Sequence, residues 1–391
     1  MRIAMVHSSF AIRGGAETYV RDLSTALLEK GHDVRVFSRP SENSDATDQA
    51  VRRRLAERAG DLTGPLRKVL THLGDVADPT GLAPRDLAGF APDVVHVHNW
   101  QGLGIRPVAR IARVHPTVHT VHDFAIADPN NALGNLGRST RLDALLAARA
   151  RRVVRGLRDV TLLFGSERTR EVLLRHVPAA RDLDQRVVLL SLPVPAERRA
   201  LPPGDRTTFL YLGALAEHKG VADLLRAWAS STLREHGTLL LAGDGPLRSA
   251  VEEAAAQHSS VRYLGYLGEP GKQAAFRQAG WLLFPSRWPE TYGLVCAEAL
   301  VAGRPIMASK IAEPVMASPG SRMLFDGADD LRPRLEQAAA LPDAEYAALT
   351  ASALGDGERL GWEKHVDAVV AAYVSARAGR RTSPKPEAVV Q

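Results

Sequence analysis

Short apolar runs alternate with amphipathic helical stretches along this chain, and the series occurs twice. The first half offers RIAMVH, DVRVFS, DVVHVH, TVHTV, VTLLFG and RVVLLS; the second offers TTFLYLG, GTLLLAG, SVRYLGY, WLLFP and RPIMAS. Between them lie segments such as ETYVRDLSTALLEKG, whose apolar residues recur at three and four and which ends at Gly31, a natural left-handed cap. Strand–helix–strand alternation predicts a parallel sheet covered on both faces. Residues 191–206, SLPVPAERRALPPGDR, hold four prolines and no periodicity, which predicts a linker between two sheets. The length of 391 residues agrees, since a domain takes roughly 100–200. The expected architecture is α/β, two doubly wound domains in tandem. Such sheets bind ligands at the carboxyl ends of their strands, so two facing each other would form a cleft for two substrates.

Residues 357–378 read as a terminal helix, and residues 379–391 as a disordered tail. Residues 40–91 form an irregular insertion with helical pieces and a basic run, RRRLAERAGDLTGPLRKVLTHLG. A solvated surface helix is favoured there over a membrane-touching one. No run of the ~18 apolar residues needed for a spanning helix occurs, and MRIAMVHSSF lacks the features of a signal peptide. The single cysteine, Cys296, excludes an internal disulfide and multi-cysteine metal sites and fits a reducing compartment. A cytoplasmic location is therefore expected. Residues 1–200 carry 30 Lys+Arg against 22 Asp+Glu, while the rest of the chain is slightly acidic. The basic half would attract an anionic partner, or simply be a solvated arginine-rich surface. Aromatics do not interleave with the basic runs, and zinc-finger spacing is absent, which argues against nucleic acid.

Four junctions carry chemistry. AIRGGAET follows the first strand and opens the first helix; Gly14 and Gly15 allow close backbone approach, and the helix start suits a phosphate. It lacks the third glycine of the dinucleotide fingerprint and the GK[ST] of a P-loop. TVHTVHDF places His122 and Asp123 at a strand's carboxyl end, where an imidazole can meet a sugar hydroxyl or a phosphate. His119 and His122, three apart, would point to opposite faces of a strand, so a two-histidine metal site is not expected. His96 and His98 would share a face. LGALAEHKG brings Lys219 to a helix start, where it would neutralise a leaving diphosphate. AGDGP, residues 242–246, is a further strand–turn–helix junction.

The fourth junction, RWPETYGLVCAEAL, sets Glu290 in a loop and Glu298 on a helix, with the amides of Tyr292, Gly293 and Leu294 at the helix start between them. Carboxylates accept paired hydrogen bonds from vicinal hydroxyls, and the amides favour a diphosphate. Glu298 lies between Ala297 and Ala299, where a buried carboxylate needs a partner; the expected partner is the ligand.

Together these segments resemble glycosyltransferase family four, the retaining enzymes of the GT-B fold. The resemblance runs over essentially the whole chain: GGAE, DVVHVHN, VHDF, FGSERTREVL, KGVADLLRAW, LLLAGDGP, VRYLGYL and, most specifically, PETYGLVCAEALVAGRPIMAS, which is similar to the family's E-x7-E motif. It implies two Rossmann-like domains facing a central cleft. An acceptor-binding domain would span residues 1–195 plus 360–378, the terminal helix crossing back to it, and a nucleotide-sugar domain residues 205–356. It implies a nucleotide-diphosphate-sugar donor, UDP-sugar first, and a small-molecule, natural-product or glycan acceptor. Carried over, Glu298 would bind the ribose hydroxyls and Glu290 the donor sugar. Tyr292, Gly293 and Leu294 would lie along the sugar and diphosphate, Lys219 on the phosphates, and Tyr266 and Leu267 by the base. Gly14 and Gly15 would approach the diphosphate, and His122 would be the catalytic histidine. The resemblance implies no metal and no cofactor beyond the donor, with front-face attack in which a phosphate oxygen takes the acceptor's proton.

The chain departs from that pattern in places. Ala214 stands where the family usually has a phosphate-binding arginine; Arg13 and Arg287 are the candidates to replace that cation. SLPVP replaces an NG-containing stretch, and Ile311-Ala312 replaces a glycine pair near the donor. Asp123, Asp128, Asn130 and Asn131 are candidates for binding acceptor hydroxyls or amines. The alternatives are a nucleotide-sugar-binding partner subunit without turnover and a sugar-nucleotide 2-epimerase.

Overall fold

A computed structural model describes residues 1–8, 15–38, 49–50, 64–130, 133 and 140–381. The chain divides into two compact units, Met1–Leu190 with Glu363–Gln391, and Ser191–Trp362.

The N-terminal unit is built on seven parallel strands. These are β1 (Arg2–Val6), β2 (Asp33–Ser38), β3 (Gln49–Ala50), β4 (Val94–Val97), β5 (Thr117–Val121), β6 (Thr161–Phe164) and β7 (Gln185–Val187). Their order in the sheet is β3-β2-β1-β4-β5-β6-β7. The chain runs outward from β1 to β3, then returns to the other side of β1 at β4. That reversal puts the binding crevice of a doubly wound sheet at the carboxyl ends of β1 and β4. The strands read as continuous apolar runs because both of their faces are covered: all residues of β4, β5 and β6 are buried. The first helix, Gly15–Glu29, buries Tyr19, Val20, Leu23 and Leu27 and ends before Gly31, which has φ +78°.

The C-terminal unit carries β8 (Asp205–Leu212), β9 (Thr238–Ala242), β10 (Val261–Tyr263), β11 (Ala279–Phe284), β12 (Ile306–Ser309) and β13 (Arg322–Phe325). They form a parallel sheet in the order β10-β9-β8-β11-β12-β13, with its reversal between β8 and β11. Phe209, Trp228, Trp281, Leu283 and Phe325 fill the core on one face of this sheet.

Several boundaries differ from the sequence expectation. The proline-rich stretch belongs to the C-terminal unit: Arg304 donates to Pro202 O at 2.6 Å, Gln273 to Glu197 O at 3.0 Å and the Ala200 amide to Val301 O at 2.9 Å. The edge strands β3 and β13 have no clear sequence signal, being two and four residues long. The terminal helix is two helices, Asp343–Arg359 and Trp362–Arg381, parted at Leu360–Gly361. The second runs to Arg381 rather than stopping at 378, and residues 382–391 lie outside the described residues. It packs on the N-terminal unit through Tyr373 against His96 and Arg377 against Asp93. Among the described residues, no helix is long and apolar enough to cross a membrane.

Candidate active site

In the C-terminal unit the chemistry gathers at the reversal, where β8 and β11 end. After β8 the chain makes a short turn, Glu217–Lys219, and enters the helix Val221–Ala229 through Gly220 at φ +75°. A Cβ on Gly220 would lie 2.0 Å from Pro285 O, so only glycine lets this turn press against the end of β11. The Arg287 amide donates to His218 O at 2.8 Å, and the His218 and Trp288 rings lie 4.0 Å apart. This contact brings Lys219 to Glu290: Nζ donates to Oε1 at 2.6 Å. Ser286 Oγ donates to the same oxygen at 2.5 Å, and Ser309 Oγ fixes the Ser286 carbonyl at 2.5 Å.

Gly293 caps the helix Leu294–Val301 at φ +80°. A Cβ there would meet Phe284 Cζ at 2.9 Å. Tyr292 is buried beside it, and burial pushes its phenol up. Burial, and then the charge of Glu290, pushes the Cys296 thiol well up, so Cys296 is a neutral packing residue beneath the helix start.

Glu298 is 7% exposed and does have a protein partner: Lys272 Nζ donates to its Oε1 at 3.0 Å. The expectation that its partner is a ligand alone is corrected. Lys272 lies 26 residues away on the helix Glu269–Gln278, and no local spacing connects the two. Ser286 was missed for a similar reason, since its role depends on how β11 ends.

The position of Ala214 is exposed, and Tyr211 donates to its carbonyl at 2.6 Å. The guanidinium of Arg287, the other candidate cation, lies 3.5 Å from Asp223 and 3.9 Å from Glu217. Arg13, Gly14 and Asn131 lie outside the described residues. Tyr266 is 78% exposed and Leu267 half-buried, both on the loop entering the helix that carries Lys272.

In the N-terminal unit, His7, His98 and His122 follow β1, β4 and β5. Gly15 is exposed at the start of the first helix. His96 and His98 share a face as expected, ring centres 3.8 Å apart. His98 Nδ1 lies 3.3 Å from His122 Nε2, and the Tyr19 ring meets both edge-on. His365 Nδ1 donates to Leu189 O at 2.8 Å, so its Nε2 accepts from the Tyr19 hydroxyl, also at 2.8 Å. His119 Nδ1 donates to Val97 O. His96 bridges Tyr373 and Thr120, each at 2.7 Å. Burial holds the imidazoles of His96, His98, His119, His122 and His365 neutral. It pushes His122 down to about 3, helped by His7, His119 and His365, and pushes His119 and His365 down to about 4. His122 is thus a hydrogen-bonding group rather than a cation at neutral pH. The supporting Tyr19 and His365 were not identified in the sequence.

The acceptor candidates share one loop after β5. Asp123 accepts from the Ala125 amide at 2.9 Å, and burial pushes its carboxyl up. Asp128 is buried and accepts from the Asn130 amide at 2.6 Å, while exposed Asn130 pairs with His72 at 3.3 Å. Both aspartates therefore also shape the loop.

Comparisons with known proteins bear on the family and the fold. The family described as Glycosyl transferases group 1 matches residues 206–339, and the Glycosyl transferase 4-like domain matches residues 14–164. A glycogen synthase of Mycobacterium tuberculosis is 28% identical over 345 residues, covering 80% of this chain and 78% of the relative. A D-inositol 3-phosphate glycosyltransferase of Acidothermus cellulolyticus is 26% identical over 407 residues, covering 95% and 87%. Among solved structures, sucrose-phosphate synthase from Thermosynechococcus elongatus superposes with a TM-score of 0.70 at 20% identity, over 97% of this chain and 99% of that one. HepE from Anabaena, solved with UDP and glucose, gives 0.65 at 16% identity over 96% and 100%.

Proposed function

The chain belongs to the group 1 glycosyl transferases of family four, enzymes of the GT-B fold, and from that premise we propose that it is a retaining enzyme using a nucleotide-diphosphate-sugar donor. The observation that carries this reading is the arrangement in the C-terminal unit. Two carboxylates, Glu290 and Glu298, each tethered by a lysine, flank a glycine-capped helix start. Glu290 would accept from hydroxyls of the donor sugar, Glu298 would accept from the ribose, and the amides of Gly293 and Leu294 would meet the diphosphate.

In the proposed reaction the bond between the sugar's anomeric carbon and the diphosphate oxygen breaks. The acceptor oxygen bonds to that carbon on the same face, and its proton passes to the departing phosphate oxygen. Lys219 would turn part of its charge from Glu290 to the diphosphate as negative charge develops there. Neutral His122 would hold a hydroxyl by hydrogen bonding, with the N-terminal unit reading a small polyol or glycan acceptor. Lysines and helix amides meet the leaving-group charge in this scheme without a metal, so treatment with EDTA should leave the rate unchanged.

UDP-glucose is the first donor to test, given the UDP and glucose held by HepE. Purified protein should release UDP slowly from a matching UDP-sugar in the absence of acceptor. Exposed Ala214 favours a second reading, a nucleotide-sugar-binding subunit without turnover. Binding of nucleotide-sugars with no release of nucleotide from any donor would support that reading and contradict the enzyme.

A further inference from the structure

A lysine in the first turn of a helix is disfavoured, because the unpaired amides already make that end positive. Lys272 nevertheless lies in the first turn of Glu269–Gln278. Its ammonium reaches out of that helix to Glu298, on a different helix, at 3.0 Å, with Glu269 further off at 3.9 Å. The lysine side chain is 24% exposed and the glutamate's 9%, so the pair is partly withdrawn from water. There the attraction is stronger than on an open surface.

We propose that Lys272 is a positioning residue for the donor's ribose: it holds the Glu298 carboxylate oriented to accept from the ribose hydroxyls. This rests on the donor reading above, in which Glu298 meets the ribose. A carboxylate accepts from two vicinal hydroxyls only when ionised and correctly turned. The lysine fixes one of its oxygens from the side. The preference for ribose over deoxyribose then depends on a residue that need not touch the nucleotide.

The test uses the full chain and calorimetric titration with UDP, GDP and ADP. The tightest binder is then compared with its 2′-deoxy counterpart. For the wild type, the deoxy form should bind roughly tenfold or more weakly, the scale of one hydrogen bond to a charged group. Lys272→Met should bring that ratio close to one and weaken the ribonucleotide towards the deoxy value. Lys272→Arg, which keeps the charge, should restore much of the ratio. Melting temperatures of both variants identify any that fail to fold, and Glu298→Gln provides a second route to the same lost ratio.

An unchanged ratio in folded Lys272→Met overturns the proposal. So does equal weakening of both nucleotides, which would make Lys272 a direct phosphate or base contact. If the wild type binds a nucleotide without preferring ribose, and Glu298→Gln changes nothing, the placement of the ribose at Glu298 is at fault. If it binds no nucleotide at all, the donor reading itself fails.

Discussion

Glu290 and Glu298 are eight residues apart, and each is tied to a lysine from another segment: Lys219 to the first, Lys272 to the second. The pairing solves the problem of holding two carboxylates near one helix start before any ligand arrives. Under the proposed donor reading, Ala214 leaves the diphosphate one cation short, since Lys219 and Lys272 are already paired with the carboxylates. Ala214→Arg tests this. The position is exposed, so the longer side chain can be accommodated at little structural cost. Donor-nucleotide affinity should rise about three- to tenfold with the melting temperature almost unchanged, measured by calorimetry and thermal denaturation. At this scale the sequence singled out Glu290, Lys219 and His122 as candidates because each follows the end of a strand, and Glu298 because it is a carboxylate set between alanines on a helix. It could not disclose Lys272, Ser286 or His365, whose roles arise from tertiary approach across many residues.

Elements were legible where their sequence pattern was strong. Fully buried strands such as β6 and β11 read as continuous apolar runs, and the first helix was marked by its periodicity and by Gly31. The edge strand β13 was not legible, because its residues are only partly covered and too few to show a period. The helix Leu294–Val301 is the element on which the proposed donor site depends. Its start is set by Gly293, whose φ of +80° and whose position 2.9 Å from Phe284 leave no room for a side chain. Gly293→Ala should destabilise the C-terminal unit by about 1–3 kcal/mol and shift the helix start. Chemical denaturation would read the first effect, and loss of nucleotide binding by protein that remains folded would read the second.

Over the whole molecule, the two units differ in how they should respond to acid. The N-terminal unit buries a cluster of neutral imidazoles, with His122 near 3 and His119 and His365 near 4. An unfolded histidine titrates near 6.5. Above that value neither state takes the proton. As pH falls from about 6.5 towards 4, the unfolded chain binds protons that the folded cluster refuses, so stability is lost through that window. A loss of about 3 kcal/mol would lower the melting temperature of the N-terminal unit by roughly 6–12 °C. The C-terminal unit has only His218, His236 and His258, with no comparable cluster. Its tryptophans Trp228 and Trp281 lie in its own core, whereas Trp100 lies in the N-terminal core, so in a Trp100→Phe background the emission would report the C-terminal unit. Scanning calorimetry and tryptophan fluorescence between pH 7.5 and 4.5 should therefore show the N-terminal transition falling first. The division into two sheets was visible in the repeated alternation, whereas the histidine cluster was not: its members come from β1, β4, β5 and the last helix, and only folding gathers them. The account's central claim is that Glu290 and its neighbours present a nucleotide-sugar for transfer with retention. The most direct measurement follows the reaction of UDP-glucose, or whichever α-linked donor the protein turns over, by proton NMR from the first seconds. The account predicts that the newly formed product carries the α configuration and that Glu290→Gln lowers the rate by about a hundredfold or more; a β product formed first, or an unchanged rate in Glu290→Gln, would contradict it.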